Sequence, residues 1–139
     1  MSFKVLQEIP IDPIIEVIRK HQSEVNIIYL FGSYAKGQEQ ESSDIDLAIQ
    51  TQEPMSKMEI YELRQELAAR LNRDVDLIDM EKASAVLKNE VVQGGKRLYC
   101  APHFERKPYE LRIISEYLDF QEGTRDLREA IQKRGYVHG

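Results

Sequence analysis

Three short hydrophobic runs constrain the fold of this chain more than any other feature of its sequence. They are VNIIYLF at 25–31, DIDLAIQ at 44–50 and DVDLIDM at 74–80. Each is rich in branched or aromatic residues and has the length of a buried strand. After Pro54, a segment of roughly 16 residues carries apolar side chains at helical spacing. Strands that alternate with helices predict an α/β (α+β) chain built around one mixed sheet.

The ends of this pattern are also readable. Asp12 and Pro13 predict the start of a helix that ends near His21, with Asp12 capping its free amides. A short helix is expected over 83–92, closed by Gly94 and Gly95. RLYC at 97–100 then predicts an edge strand. We therefore expect about four strands with flanking helices, all lying on one face of the sheet.

The C-terminal segment predicts a helix beyond the sheet. Apolar residues keep a rough helical rhythm over 108–134, after a break bracketed by Pro102 and Pro108, and Gly123 is expected to interrupt it. We accordingly divide the chain into residues 1–101 and a C-terminal helical extension, 102–139. Those apolar residues pack on their own domain or dock another protein, and we expect part of 108–134 to contact a partner. Tyr109, Tyr117 and Tyr136 are expected to serve aromatic packing there.

Composition excludes several classes of function. The net charge of −5 over 139 residues shows no strong signature of polyanion binding, so we expect no direct nucleic-acid contact. One cysteine, Cys100, excludes an internal disulfide, and three scattered histidines are too few for a four-ligand zinc site. No apolar signal region and no stretch of membrane-spanning length is visible, which predicts a cytoplasmic protein without membrane contact.

Two carboxylates stand inside the second run. Side chains alternate along a strand, so Asp44 and Asp46 point to one side while Ile45 and Leu47 point to the other. Like charges held close together raise one pKa unless a cation lies between them, and paired carboxylates suit Mg²⁺. The alternative is that one aspartate caps a turn and the other is exposed on an edge, which is the commoner outcome for a bare Asp-x-Asp.

A Gly-Ser pair before this strand favours the binding interpretation. Gly32 allows a tight turn and close approach of a ligand, and Ser33 is expected to cap a helical turn suited to phosphate oxygens. Lys36 supplies a cation in the same loop. A phosphate site and a metal site on neighbouring strands are what transfer of a phosphoryl or nucleotidyl group requires.

The third run offers another carboxylate. Asp74 and Asp76 share one face of this strand, and Asp79 lies on the other. If the second and third strands are neighbours, Asp76 is best placed to reach the metal. Asp74, at the strand entrance, is expected to be a turn or capping residue.

Gly32-Ser33 followed by Asp44-x-Asp46, with a third aspartate in a VDLID strand, resembles the signature of the DNA polymerase β-like nucleotidyltransferase superfamily. The short chain is similar to the minimal nucleotidyltransferases (MNT) that serve as antitoxins in HEPN/MNT toxin–antitoxin pairs. The resemblance implies a minimal nucleotidyltransferase domain at 1–101. It further implies an enzyme that transfers AMP from ATP to a tyrosine of its cognate HEPN ribonuclease toxin, with two Mg²⁺ ions.

The resemblance also implies roles for single residues. Gly32 and Ser33 would hold the nucleotide phosphates, and Asp44 and Asp46 would bind both metals. Asp76 would bind one metal and act as, or help to orient, the base. The family often carries Arg where Lys36 stands, and Lys keeps the charge without the bidentate fork.

Two other functions remain open from the sequence. One is a binding-only antitoxin that occludes its partner, against which the intact set of three carboxylates argues. The other is a nucleotidyltransferase that modifies a small-molecule or RNA hydroxyl. Such enzymes usually bring a second domain for the acceptor, and residues after Cys100 are few for that.

Overall fold

The computed structural model describes residues 9–37 and 44–134, which form one four-stranded sheet with helices around it. The helices and strands, in chain order, are α1 (Ile11–His21), β1 (Val25–Phe31), α2 (Gly32–Lys36), β2 (Ile45–Thr51), α3 (Lys57–Leu71), β3 (Val75–Asp79), α4 (Ala85–Gly94), β4 (Lys96–Cys100) and α5 (Arg106–Arg134). A 3₁₀ turn, Met80–Lys82, joins β3 to the segment before α4.

The sheet is mixed, as predicted. Its strand order is β3-β2-β1-β4, so β3 and β4 are the edges. Strand β1 pairs antiparallel with both β2 and β4, whereas β2 and β3 are parallel. The parallel pair needs a crossover, and α3 supplies it. A capping box between Ser56 and Glu59 fixes the start of α3.

Helices cover both faces of the sheet, so the prediction that all lie on one face is wrong. On the first face, α1 and α3 pack through Ile14 and Leu67 against strand residues such as Leu47. On the second face, α4 and α5 pack through Val91 and Ile113 against the other side of the strands. The reason is visible in β1, which is buried at all seven positions and needs cover on both sides.

Helix α1 begins at Ile11, two residues earlier than predicted. Pro10 occupies the N-cap position and makes no side-chain capping bond, so the prediction that Asp12 caps the helix is wrong. Asp12 lies inside the first turn, where its charge still complements the positive end of the helix.

Helix α5 runs without interruption from Arg106 to Arg134, so the predicted break at Gly123 is wrong. Pro108 also lies inside its first turn, where the missing N–H has no helical partner to lose. A Cβ at Gly123 would meet nothing within 4 Å, so this glycine lies on an open surface of the helix.

The first turns of α5 belong to the protein core. Tyr109 is buried and packs edge-on against Phe104 with ring centroids 5.1 Å apart, which confirms its predicted packing role. The Tyr29 hydroxyl donates to Oε2 of Glu110 at 2.5 Å and ties α5 to β1. Farther along, Leu118 and Leu127 are exposed. Tyr136 lies outside the described residues. The division at 101/102 stays a prediction.

Within residues 9–37 and 44–134, no helix combines the length and the apolar character needed to cross a lipid bilayer.

Candidate active site

Asp46 and Asp76 lie side by side on neighbouring parallel strands. They are Cα partners in the register of β2 and β3. Their flanking residues Ile45, Leu47 and Val75 are buried in the core on the first face of the sheet, so both aspartates point to the second. The structure therefore brings together two of the carboxylates that the sequence singled out.

Asp46 is the electrostatic centre of this group. Its side chain is half-buried, and the pKa of its carboxyl is raised from 3.8 to about 6. Burial is the largest cause, and the negative charges of Asp76, Asp44 and Glu90 add to it. Asp44 and Asp76 are themselves exposed. We call Asp44, Asp46 and Asp76 the acidic face. Its members repel one another, and a bound cation would relieve that repulsion.

Gly32 is required at its position for two reasons. Its φ of +74° lies in the left-handed region. A Cβ there would also collide with Oδ2 of Asp46. Phe31, the residue before, is the register partner of Asp46 on β1, so the turn follows directly beside the acidic face. The tight turn predicted at Gly32 is present, and it presses the backbone against the carboxylate.

Ser33 is not a capping residue, contrary to prediction. Helix α2 starts at Gly32, its N-cap is the extended residue Phe31, and Ser33 lies inside the first turn. The strand leads straight into the helix because Gly32 absorbs the change of direction, which leaves no position for a serine cap. Ser33 is half-buried beside the Gly32 turn. The side chain of Lys36 lies outside the described residues. The nucleotide-binding roles of all three stay predictions.

The other two aspartates of the third run differ from Asp76. Asp79 faces the opposite side, as expected, and is only 4% exposed. It accepts the backbone N–H of Met55 at 3.1 Å and of Glu81 at 3.0 Å. Asp74 is exposed, and its carbonyl accepts the N–H of Ile45 at 3.0 Å. Asp79 therefore serves the fold.

The acidic face fits a divalent cation through the chemistry of its donors. All are carboxylate oxygens, the ligands that Mg²⁺ prefers, and a carboxyl with a raised pKa gains from a nearby positive charge. Within the described part of the chain, no three acidic, histidine or cysteine side chains already stand close enough to enclose an ion.

Two residues near the acidic face were missed by the sequence analysis. Glu90, on α4, adds a fourth negative charge to the three of the acidic face. Arg64, on α3, lines a cleft of about 320 Å³ together with Asp44, Asp74 and Asp76. Neither residue lies near the others in sequence, and only the packing of α3 and α4 against the sheet brings them there.

Comparison with known proteins gives consistent results. Residues 13–103 match the family described as Polymerase beta, Nucleotidyltransferase. The chain is 35% identical over 116 residues to the protein adenylyltransferase MntA of Shewanella oneidensis, covering 84% of this chain and 83% of that protein. A putative protein adenylyltransferase of Methanocaldococcus jannaschii is 42% identical over 69 residues, covering 45% of this chain and 70% of that protein.

Two solved structures extend the similarity to the fold. One is a chain in a crystal structure of a toxin–antitoxin with AMP-PNP, with a TM-score of 0.80, 32% identity and coverage of 89% of this chain and 99% of that chain. The other is a chain in the complex of a tri-AMPylated Shewanella oneidensis HEPN toxin with an MNT antitoxin, with a TM-score of 0.73, 30% identity and coverage of 94% and 99%. By sequence and by fold, the chain belongs to the polymerase beta nucleotidyltransferase family.

Proposed function

We propose that this chain is an antitoxin that transfers AMP from ATP to a tyrosine of a cognate HEPN ribonuclease toxin and thereby neutralises it. The observation that carries the proposal is the Asp46–Asp76 register pair beside the Gly32 turn. Its support from comparison is the adenylyltransferase MntA, of which the match spans 83%. We expect a protein complex with the toxin, and no direct contact with nucleic acid or membrane.

The side chains divide the chemistry between them. The tyrosine hydroxyl attacks the α-phosphorus of ATP, a phosphorus–oxygen bond forms, and the bond to pyrophosphate breaks. Tyrosine keeps its proton at neutral pH, so we assign Asp76 to orient the hydroxyl and receive the proton. Gly32 and Ser33 would hold the phosphates of ATP through backbone N–H groups and a hydroxyl, with Lys36 nearby.

We assign Asp44 and Asp46 to two Mg²⁺ ions, with Asp76 bound to one of them. When bound, these ions supply Lewis-acid stabilisation of the charge that develops on the phosphoryl oxygens. The family toxin in the solved complex is tri-AMPylated, so we expect this chain to transfer more than one AMP group.

The test uses the chain purified with its toxin, ATP and Mg²⁺, with the intact mass of the toxin as the readout. Wild type should add adenylate mass and suppress the ribonuclease. The double variant Asp44→Asn/Asp46→Asn should transfer AMP at least about a thousandfold more slowly, because it removes two proposed metal ligands. Asp12→Asn, an exposed aspartate on α1, is the matched control and should behave as wild type.

Two outcomes would contradict the proposal. Wild-type protein that adds no adenylate to the toxin would exclude AMP transfer. A double variant that neutralises the toxin as well as wild type would favour the binding-only antitoxin.

A further inference from the structure

The cleft next to the acidic face contains a cation that the proposed reaction does not use. Arg64 projects from the middle of α3 and is half-buried. The cleft of about 320 Å³ is lined by this residue and by Asp44, Asp74 and Asp76. It therefore borders two residues of the proposed active site, Asp44 and Asp76, and places a guanidinium near them.

The guanidinium of Arg64 lies over an aromatic ring and has no close ion-pair partner among the described residues. Its carbon lies 5.8 Å from the ring centroid of Tyr61, one turn earlier on α3. Across residues 9–37 and 44–134, Arg64 forms no ion pair within 4.0 Å. Arg70, on the same helix, instead pairs with Glu16 at 2.7 Å. The N–H donors of Arg64 are thus available to a ligand, and their fork geometry matches phosphate oxygens.

Along the sheet, the cleft and the Gly32 turn lie on opposite sides of strand β2. Gly32 follows β1, which borders β2 on one side. Arg64 lies by β3, which borders β2 on the other side and forms the edge of the sheet. If ATP phosphates bind at the Gly32 turn, the Arg64 side is left for the acceptor.

We propose that Arg64 binds the phosphate of an AMP group already attached to the acceptor, and so allows repeated AMP transfer at one site. The proposal rests on the proposed function and names the substrate of its later rounds. The acceptor for a second transfer on one site is a ribose hydroxyl of the first AMP. That acceptor carries a phosphodiester, which an unmodified tyrosine lacks.

The second transfer balances in the same way as the first. The ribose hydroxyl of the attached AMP attacks the α-phosphorus of a new ATP, and a phosphorus–oxygen bond forms. The bond between the α-phosphate and pyrophosphate breaks, and the hydroxyl proton passes to the acidic face or to water. Arg64 takes no part in bond making; it holds the phosphodiester of the incoming acceptor.

An AMP phosphate could also come from ATP itself, and kinetics separate the two sources. Loss of an ATP contact would raise the KM for ATP in the first transfer. Loss of a contact to the attached AMP would slow the second and third transfers relative to the first. We expect the second pattern for Arg64→Gln.

The experiment follows the toxin by intact mass over time, with ATP and Mg²⁺ in excess. Peptide mapping locates each adenylate. For wild type, we expect several adenylates on one residue. For Arg64→Gln, we expect the ratio of second to first transfer rates to fall at least about tenfold, the scale of one lost charge-assisted contact. Arg64→Lys keeps the charge but not the fork, so its ratio should lie between the two.

Arg70→Gln is the matched control, because it removes a guanidinium from the same helix and breaks only the ion pair with Glu16. Its ratio should equal that of wild type. The Arg64 proposal is overturned if Arg64→Gln leaves the ratio unchanged or raises the KM for ATP instead. It is also overturned if adenylates map to separate residues or if wild type adds only one, and in both cases the proposed function still stands. Wild type that adds none would overturn both.

Discussion

Asp76 and Asp79 lie on the same strand, yet their surroundings differ in kind. Asp79 is buried, and two backbone N–H groups donate to it. Asp76 is exposed and stands in register with another carboxylate, Asp46. One carboxylate is fully satisfied by the protein, while the other two raise each other's energy. The difference teaches that an acidic group held against like charge, with no hydrogen-bond donor among the described residues, is the one arranged for a ligand.

The same contrast separates two glycines with positive φ. Gly32 has φ +74° and faces Oδ2 of Asp46, whereas Gly37 has φ +69° and an open surrounding. Gly37 is required by backbone conformation alone. Gly32 is required by conformation and by its contact with the acidic face. A local conformational rule explains Gly37, whereas only the packing of β1 against β2 explains Gly32.

The largest expected effect is the loss of AMP transfer when Asp76 is replaced. We predict that Asp76→Asn slows AMP transfer by about a thousandfold, equivalent to about 4 kcal/mol of transition-state stabilisation, with no loss of folding stability. The measurement is initial transfer rate by toxin mass, together with urea unfolding. Asp74→Asn, the next residue on the same face of this run, should stay within about threefold of wild type. Equal losses in the two variants would assign the effect to the net charge of the cleft.

Asp79 should show the reverse pattern. We predict that Asp79→Ala lowers the free energy of unfolding by about 3 kcal/mol, because two N–H groups lose their buried acceptor. Transfer by the remaining folded protein should continue at the wild-type rate. Urea unfolding gives the stability, and Asp119→Ala on the exposed surface of α5 is the control, expected within about 0.5 kcal/mol of wild type. Lost activity at full stability would move Asp79 into the active site.

The glycine pair gives a smaller, graded effect. We predict that Gly32→Ala lowers the free energy of unfolding by about 2 kcal/mol, since it adds a collision with Asp46 to the strain of a positive φ. Gly37→Ala adds strain alone and should cost about 1 kcal/mol. Thermal or urea unfolding of the two variants under one set of conditions measures the difference. Equal values would mean that the carboxylate of Asp46 moves aside freely.

The strands were predictable because they depend on local pattern. β1 has the predicted bounds of 25–31, and β2 and β3 differ from prediction by a residue at their ends. The pairing of Asp46 with Asp76 follows from alternation once β2 and β3 are neighbours. The predicted tight turn at Gly32 depended on one residue type whose conformational freedom is unique.

What sequence reasoning missed depends on tertiary contacts. Gly123 weakens a helix by propensity, yet α5 continues through it, since long-range packing of Tyr109 and Ile113 anchors its first turns. The cover on the second face of the sheet was also missed, because it comes from the packing of α4 and α5. Arg64 and Glu90 lie on surfaces that no periodic pattern marks as functional, and only the three-dimensional arrangement brings them to the acidic face.

The smallest predicted effect concerns the pH dependence of folding without metal. The pKa of Asp46 is raised from 3.8 to about 6 in the folded state, so folding disfavours its ionised form. The destabilisation is absent below about pH 3, where both states are protonated, grows as the pH rises through 3.8 to about 6, and is complete above that. After allowance for solvent screening of a partly exposed group, we expect about 1 kcal/mol.

Asp46→Asn removes this charge, so the variant should unfold at a higher temperature than wild type at pH 7.5 and at nearly the same temperature at about pH 3. Millimolar Mg²⁺ should stabilise wild type alone and close the gap at pH 7.5, because a cation bound at the acidic face offsets the same repulsion. Thermal unfolding of both proteins across this pH range, with and without Mg²⁺, measures each effect. A gap that is constant with pH would mean that Asp46 is satisfied by the protein, as Asp79 is, and would remove the electrostatic distinction between the two carboxylates.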